Sequence, residues 1–203
     1  MSGTGGRQVS GSAVRGVLRA LERQGLVPGV APLLEGTPAA AALERPPLSI
    51  GWVSGETYDA ILSAVLSAVG EARFLQVMDE AVRHSVGPLL VPAFTAHAGG
   101  HGGAHGGASG VATPEALLAR LDAETGLVLR GVTSQVSPAG PDALELRIRT
   151  LDTPALAWFL AQKPILLQLC EVCRVQGHVE AFAVDADGAG ARYRVRYTRA
   201  TGT

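Results

Sequence analysis

Aromatic residues make up only 4% of this 203-residue chain. Its core must therefore be built from Leu, Val and Ala, and a ligand cavity walled mainly by aromatic rings is not expected. Lysine is nearly absent: Lys163 stands against sixteen arginines, a bias that with the 26 glycines reads as the drift of a GC-rich genome. Two cysteines, Cys170 and Cys173, cannot form a disulfide framework. No uninterrupted apolar run reaches the ~20 residues that cross a bilayer. The longest mostly apolar stretch, Ile61 to Val69, is broken by Ser63 and Ser67. The formal net charge of -1 supplies no global field toward nucleic acid or a membrane surface. Residues 1–11 lack a signal-peptide core and read as a flexible lead. These features predict a cytoplasmic protein with no cofactor, no nucleic-acid partner and no membrane insertion.

What is present is enough apolar residue, 47%, to fill one core. The expected organisation is a single α+β domain over 12–199. Ser12 is positioned to cap a helix striped by Val14, Val17, Leu18 and Leu21 and ending near Gly25. Residues 26–47 hold five prolines and read as a winding connection, with a short helix at Pro38 to Leu43. Ile61, Leu62, Val65, Leu66 and Val69 predict a helix from Glu56 that Gly70 ends, and Leu75, Met78, Val82, Val86 and Leu89 predict another from Ala72 to Phe94. Residues 95–112 are nearly all Gly, His, Ala and Ser, the composition of a disordered loop. Thr113 and Pro114 restart helical patterning.

After Gly126 the period shifts to two. Leu127 to Val136 and Leu144 to Thr150 form one predicted hairpin, with a turn at Pro138 to Asp142. His178 to Val184 and Arg192 to Thr198 form another, with a turn at Asp185 to Gly188. Between them a long helix from Thr153 to Gln176 is expected to kink at Pro164. The fold class is thus α+β: helices on one face of a four-stranded, mainly antiparallel sheet made by two hairpins flanking a long helix.

Several groups invite a chemical reading. His97, His101 and His105, spaced by four, would share a face on a helix and bind zinc, copper or nickel, but glycines surround them and drift in a low-complexity segment is the simpler account. Cys170-Glu-Val-Cys173 has redox or half-zinc-site spacing. Its place near a helix end does not favour a thiolate, and core packing accounts for it. His84 with Asp79 and Glu80 could be drawn as an acid–base group, yet core or surface roles suffice. Trp52, Tyr58 and Trp158 are expected to fill the core. Arg192, Arg194 and Arg196 alternate along the last strand, and Arg147 and Arg149 do so on the second. If those strands share a sheet, five guanidiniums decorate its open face and could take an anion or an acidic partner, unless Glu145 and Glu180 merely balance them. No phosphate-binding loop, Gly-x-Ser-x-Gly elbow or His-Glu-x-x-His occurs.

The final third resembles a group of small-ligand-sensing domains: relatives of four-vinyl reductase, bacterial haem–nitric-oxide-binding proteins and Bet3-type subunits of the TRAPP tethering complex. The resemblance lies in Leu156 to Cys173, Val179 to Val184 and Tyr193-Arg-Val-Arg-Tyr197. The whole chain is also similar to an uncharacterised family typical of myxobacterial genomes, through Gly16-Val-Leu-Arg-Ala-Leu21, Trp52 with Tyr58, and the closing Tyr193 to Tyr197. The further cysteines of the four-vinyl-reductase relatives are missing, so no active site carries over. The resemblance implies a fold and a habit of binding ligands or partners. From these observations a non-enzymatic regulatory or adaptor domain is expected, acting on a protein partner and forming a homodimer. The alternatives are a small-ligand sensor with a pocket between helices and sheet, and metal or redox binding.

Overall fold

The computed structural model of the chain describes residues 6–85, 113–114 and 126–199. The Gly/His segment, with His97, His101 and His105, lies outside them, as do residues 86–94 of the expected second long helix and all but the first two residues of the helix expected from Thr113.

Helix α1 spans Gly11–Arg23 and buries Val14, Val17, Leu18 and Leu21, the predicted stripe. Its cap is Ser10 rather than Ser12: the Ser10 hydroxyl accepts from the Ala13 N–H at 3.3 Å. Residues 7–11, expected within a flexible lead, are instead ordered, because Gln8–Ser10 forms strand β1 at the centre of a small sheet. Its antiparallel neighbours are β2 (Trp52–Ser54) and β3 (Leu129–Arg130). Strands of two or three residues are too short to show alternation, so this sheet leaves no periodic signal.

Helices α2 (Val27–Leu34) and α3 (Pro38–Glu44) fill the proline-rich connection, and only the second was expected. Helix α4 covers Gly55–His84, with a break at Gly70, where φ 74° and ψ 167° lie in a region only glycine enters readily. By length and composition α4 could cross a membrane. Its halves, however, each rise only about 22 Å against a ~30 Å hydrocarbon core. Both also bury their apolar residues in the protein, Ile61, Leu62 and Val65 on one side of the break and Phe74, Val77 and Met78 on the other.

The four-stranded sheet is antiparallel throughout, in the order β4-β5-β7-β6. The strands are β4 (Val132–Gly140), β5 (Ala143–Thr150), β6 (Val175–Val184) and β7 (Gly190–Arg199). The two hairpins flank a helical segment, as the sequence pattern predicts. That segment is divided into α5 (Leu156–Leu160) and α6 (Gln162–Val172). The division falls at Ala161, ahead of the expected kink. Pro164 lacks the N–H that would bond the Leu160 carbonyl, so the earlier turn ends before it. Leu144, Leu146, Ile148, Tyr193, Val195 and Tyr197 form the sheet's buried face and join one continuous core with the helices. The Tyr193 hydroxyl donates to the Phe159 carbonyl at 2.8 Å, tying sheet to α5.

Candidate functional site

Two places have the makings of a site: the open face of the four-stranded sheet and a cavity under the small one.

On the open face the structure brings all five singled-out arginines together. β5 and β7 are direct neighbours, with Arg147 opposite Arg192 and Glu145 opposite Arg194. Two guanidiniums facing each other repel unless a counter-ion intervenes. Here it is Asp185, at the start of the β6–β7 turn, whose side chain is only 11% exposed. Its carboxylate takes Arg147 at 3.2 Å, Arg149 at 3.4 Å and Arg192 at 3.5 Å. Asp187 in the same turn takes Arg149 at 2.7 Å. Their hydrogen bond pulls the Asp187 carboxyl below its usual range and raises Arg149. Glu180 takes Arg194 at 3.1 Å and Arg196 at 3.4 Å. Of the two expected balancing carboxylates, Glu180 is thus paired with arginine. The acidic turn was not foreseen, because its ion pairs depend on where the hairpin end folds.

The other groups disperse. His84 is exposed, while Asp79 pairs with Arg83 and Glu80 with Arg23. Cys170 and Cys173 are buried, and burial, assisted by Glu171, pushes the Cys170 thiol up to about 11, away from thiolate chemistry. Among the described residues no cluster of His, Cys, Asp or Glu is arranged to hold a metal. Tyr58 and Trp158 are core residues, but Trp52 is only half-buried, with the Arg130 guanidinium 3.9 Å above its ring.

The cavity was not predicted residue by residue. Ala13 and Val17 of α1 form one wall, and Val9 with Val128 and Leu129 another. Both halves of α4 contribute, Tyr58 before the break and Met78, Ala81 and Val82 after it; Trp158 and Ile165 come from α5 and α6. Behind Tyr58 and Trp158 lies a buried ion cluster. Arg7, 2% exposed, stacks its guanidinium 4.5 Å from the Trp158 ring. It donates from Nη2 to Asp59 at 2.6 Å and from Nε to Asp152 at 3.3 Å. Asp59 also accepts the Ala155 N–H at 3.0 Å. Arg7 Nη1, Asp59 Oδ1 and Trp158 Nε1 have no hydrogen-bond partner among the described residues. Burial raises the Tyr58 phenol, with Arg7 opposing and Asp59 adding to the shift. A lone arginine at position 7, in a stretch without pattern, gave no sign of this cluster.

No protein-family model and no curated protein matches the sequence. Solved structures match the fold. An Fe(II) unliganded H-NOX protein from K. algicida aligns with a TM-score of 0.64 at 9% identity, over 96% of this chain and 99% of that one. The chain has an H-NOX-like fold. A T. tengcongensis H-NOX mutant aligns at 0.59 with 14% identity, over 95% and 100% of the two chains. An oxygen-binding H-NOX domain related to soluble guanylate cyclases aligns at 0.54 with 11% identity, over 96% and 97%. The distant likeness to haem–nitric-oxide-binding proteins seen in the final third thus extends to nearly the whole fold.

The described residues around the cavity do not fit a haem. It measures about 40 Å³, whereas even benzene occupies a core cavity of ~150 Å³. Among the described residues no histidine or cysteine lines it, and Tyr58 and Met78 are the lining residues of types that ligate haem iron.

Proposed function

We propose that this chain is a small-ligand sensor domain whose ligand is a small, largely apolar molecule held in the cavity between α1, α4 and the α5–α6 segment. It acts by binding rather than turnover. The observation that carries this reading is the cavity's place: an apolar space bounded by both halves of α4, on either side of the Gly70 break. The H-NOX-like fold supports sensing over the adaptor role expected first from the sequence. The ligand is not haem on this reading, since the volume and the described lining residues both oppose it.

Occupancy is read out through α4. The half after Gly70 is fastened to α6 by three links. Arg83 forms a bidentate pair with Glu171 at 2.8 and 2.8 Å, Lys163 reaches Glu71 at 3.0 Å, and Gln168 donates to the Asp79 carbonyl at 3.0 Å. A ligand that spreads Met78 and Ala81 from Tyr58 turns this half about Gly70, and α6 carries the motion to β6, which it packs against.

The test is thermal unfolding under xenon and with methanol, probes of one or two heavy atoms suited to a space of about 40 Å³. A bound probe adds ~2.7 kcal/mol of stability at a hundredfold excess over Kd and so raises the midpoint by mass action. Ala81→Leu fills the space and should abolish that rise in a folded protein. Unchanged midpoints with every probe would count against the cavity as a ligand site. Incubation with haem should produce no Soret band, and a stoichiometric one would overturn the exclusion of haem.

A further inference from the structure

The open face of the four-stranded sheet carries more than a row of cations. Arg147, Arg149, Arg192, Arg194 and Arg196 lie on adjacent strands, and the opposite face is sealed into the core. On each strand the guanidiniums recur at every second residue, a spacing of about 6.6 Å. Asp185 is a permanent counter-ion, nearly buried among three of them. Asp187 differs: half of its side chain is exposed, and its contact with the face is the single pair to Arg149. Beside Arg149, toward the free edge of β4, the surface dips into a hollow of about 130 Å³ lined by Thr133, Gln135, Arg147 and Arg149. There a hydroxyl and an amide stand next to two guanidiniums, a donor set suited to a carboxylate.

We propose that this face docks an extended acidic segment of a protein partner, and that Asp187 occupies in its absence the place of one partner carboxylate. Charge complementarity commits the face to that occupant. Five arginines meet four carboxylates, Glu145, Glu180, Asp185 and Asp187, and displacing Asp187 leaves Arg149 beside the hollow with only its longer 3.4 Å contact to Asp185. An extended strand carries alternate side chains at the same spacing as the arginines, so a segment acidic at every second residue matches the row. Single-stranded nucleic acid is the poorer match: it binds by stacking on aromatic rings, and Phe182 and Tyr193, the aromatic pair of β6 and β7, face each other on the core side. The proposal does not depend on the cavity's ligand.

The experiment is fluorescence anisotropy of a labelled peptide of alternating Glu and Ser, titrated with the full chain at low and high salt. The wild-type protein is expected to bind, more weakly as salt rises. Reversing Arg149 and Arg192 to Glu should weaken binding by about tenfold or more. Asp187→Asn keeps an oxygen for the Ala189 N–H that Asp187 now accepts at 3.0 Å, but removes the competing charge. It should bind several-fold tighter. Arg149→Gln replaces the double reversal if that variant does not fold, as judged by circular dichroism. Absence of binding by both wild type and Asp187→Asn would overturn the proposal. So would equal binding by the reversed variant, or tighter binding of a single-stranded oligonucleotide than of the peptide.

Discussion

Arg7 shows how much one side chain can hold. Its guanidinium joins β1 to α4 through Asp59 and to the segment after β5 through Asp152, while lying on Trp158. Removing one partner of a buried ion pair strands the other, at a cost of about 3–5 kcal/mol. Arg7→Met should therefore lower unfolding stability by that order in urea titration. Arg7→Met with Asp59→Leu should lose less, because the more buried carboxylate goes with the arginine and Asp152, whose side chain is 33% exposed, keeps access to water. Gly177 makes a second case. A Cβ at that position of β6 would sit 2.6 Å from the Cys170 sulfur and 2.8 Å from its Cβ, so α6 rests on the strand only because no side chain intervenes. Gly177→Ala is expected to cost ~1–3 kcal/mol of overpacking, and Cys170→Ala in the same chain should recover part of it. Equal loss in the single and double variants would separate the cost from the cysteine contact.

At the scale of elements, the decisive feature is the break in α4. The periodic pattern ends one helix at Gly70 and starts another at Ala72, and the structure keeps the two nearly end to end with a single glycine between them. No heavy atom lies within 4 Å of a Cβ placed there, so crowding does not require the glycine; its backbone angles do. Gly70→Ala should cost about 1–3 kcal/mol if the break persists. A straightened helix would instead alter the cavity, so the probe-induced thermal shift should change together with stability. Other elements were legible in part. The hairpins follow from alternation and turn residues, but β4 extends to Gly140, because the tight turn at Pro141 and Asp142 needs fewer residues than the five turn formers available. The β1–β2–β3 sheet and α2 left no readable period, the one for its short strands and the other for its prolines.

The molecule as a whole should be sensitive to alkali. Folding raises the Cys170 thiol from near 9 to about 11 by burial, and it also raises the phenols of Tyr58 and Tyr193. The folded state then keeps protons that the unfolded chain gives up. Stability is thus unaffected by these groups below about pH 8, falls as pH rises through 9 toward 11, and falls more steeply once unfolded tyrosines ionise near ~10. Urea midpoints at pH 8 and pH 10.5 should show the loss. Cys170→Ala should remove the earlier part of it, and a flat profile would contradict the burial of these groups.

Local pattern alone determined the helix stripes, the two hairpins, the glycine break and the alternation that sets arginines against apolar residues on β5 and β7. Each is written in neighbouring residues, where periods of 3.6 and 2 decide which side chains share a face. Only the tertiary structure decided that β5 lies beside β7, which makes two arginine rows one surface. It alone folded an acidic turn onto that surface, enclosed a cavity between the halves of α4, and brought Arg7 to aspartates 52 and 145 residues away. Those pairings depend on which elements meet, and distant elements meet through the burial of a common core, which no local window of sequence contains.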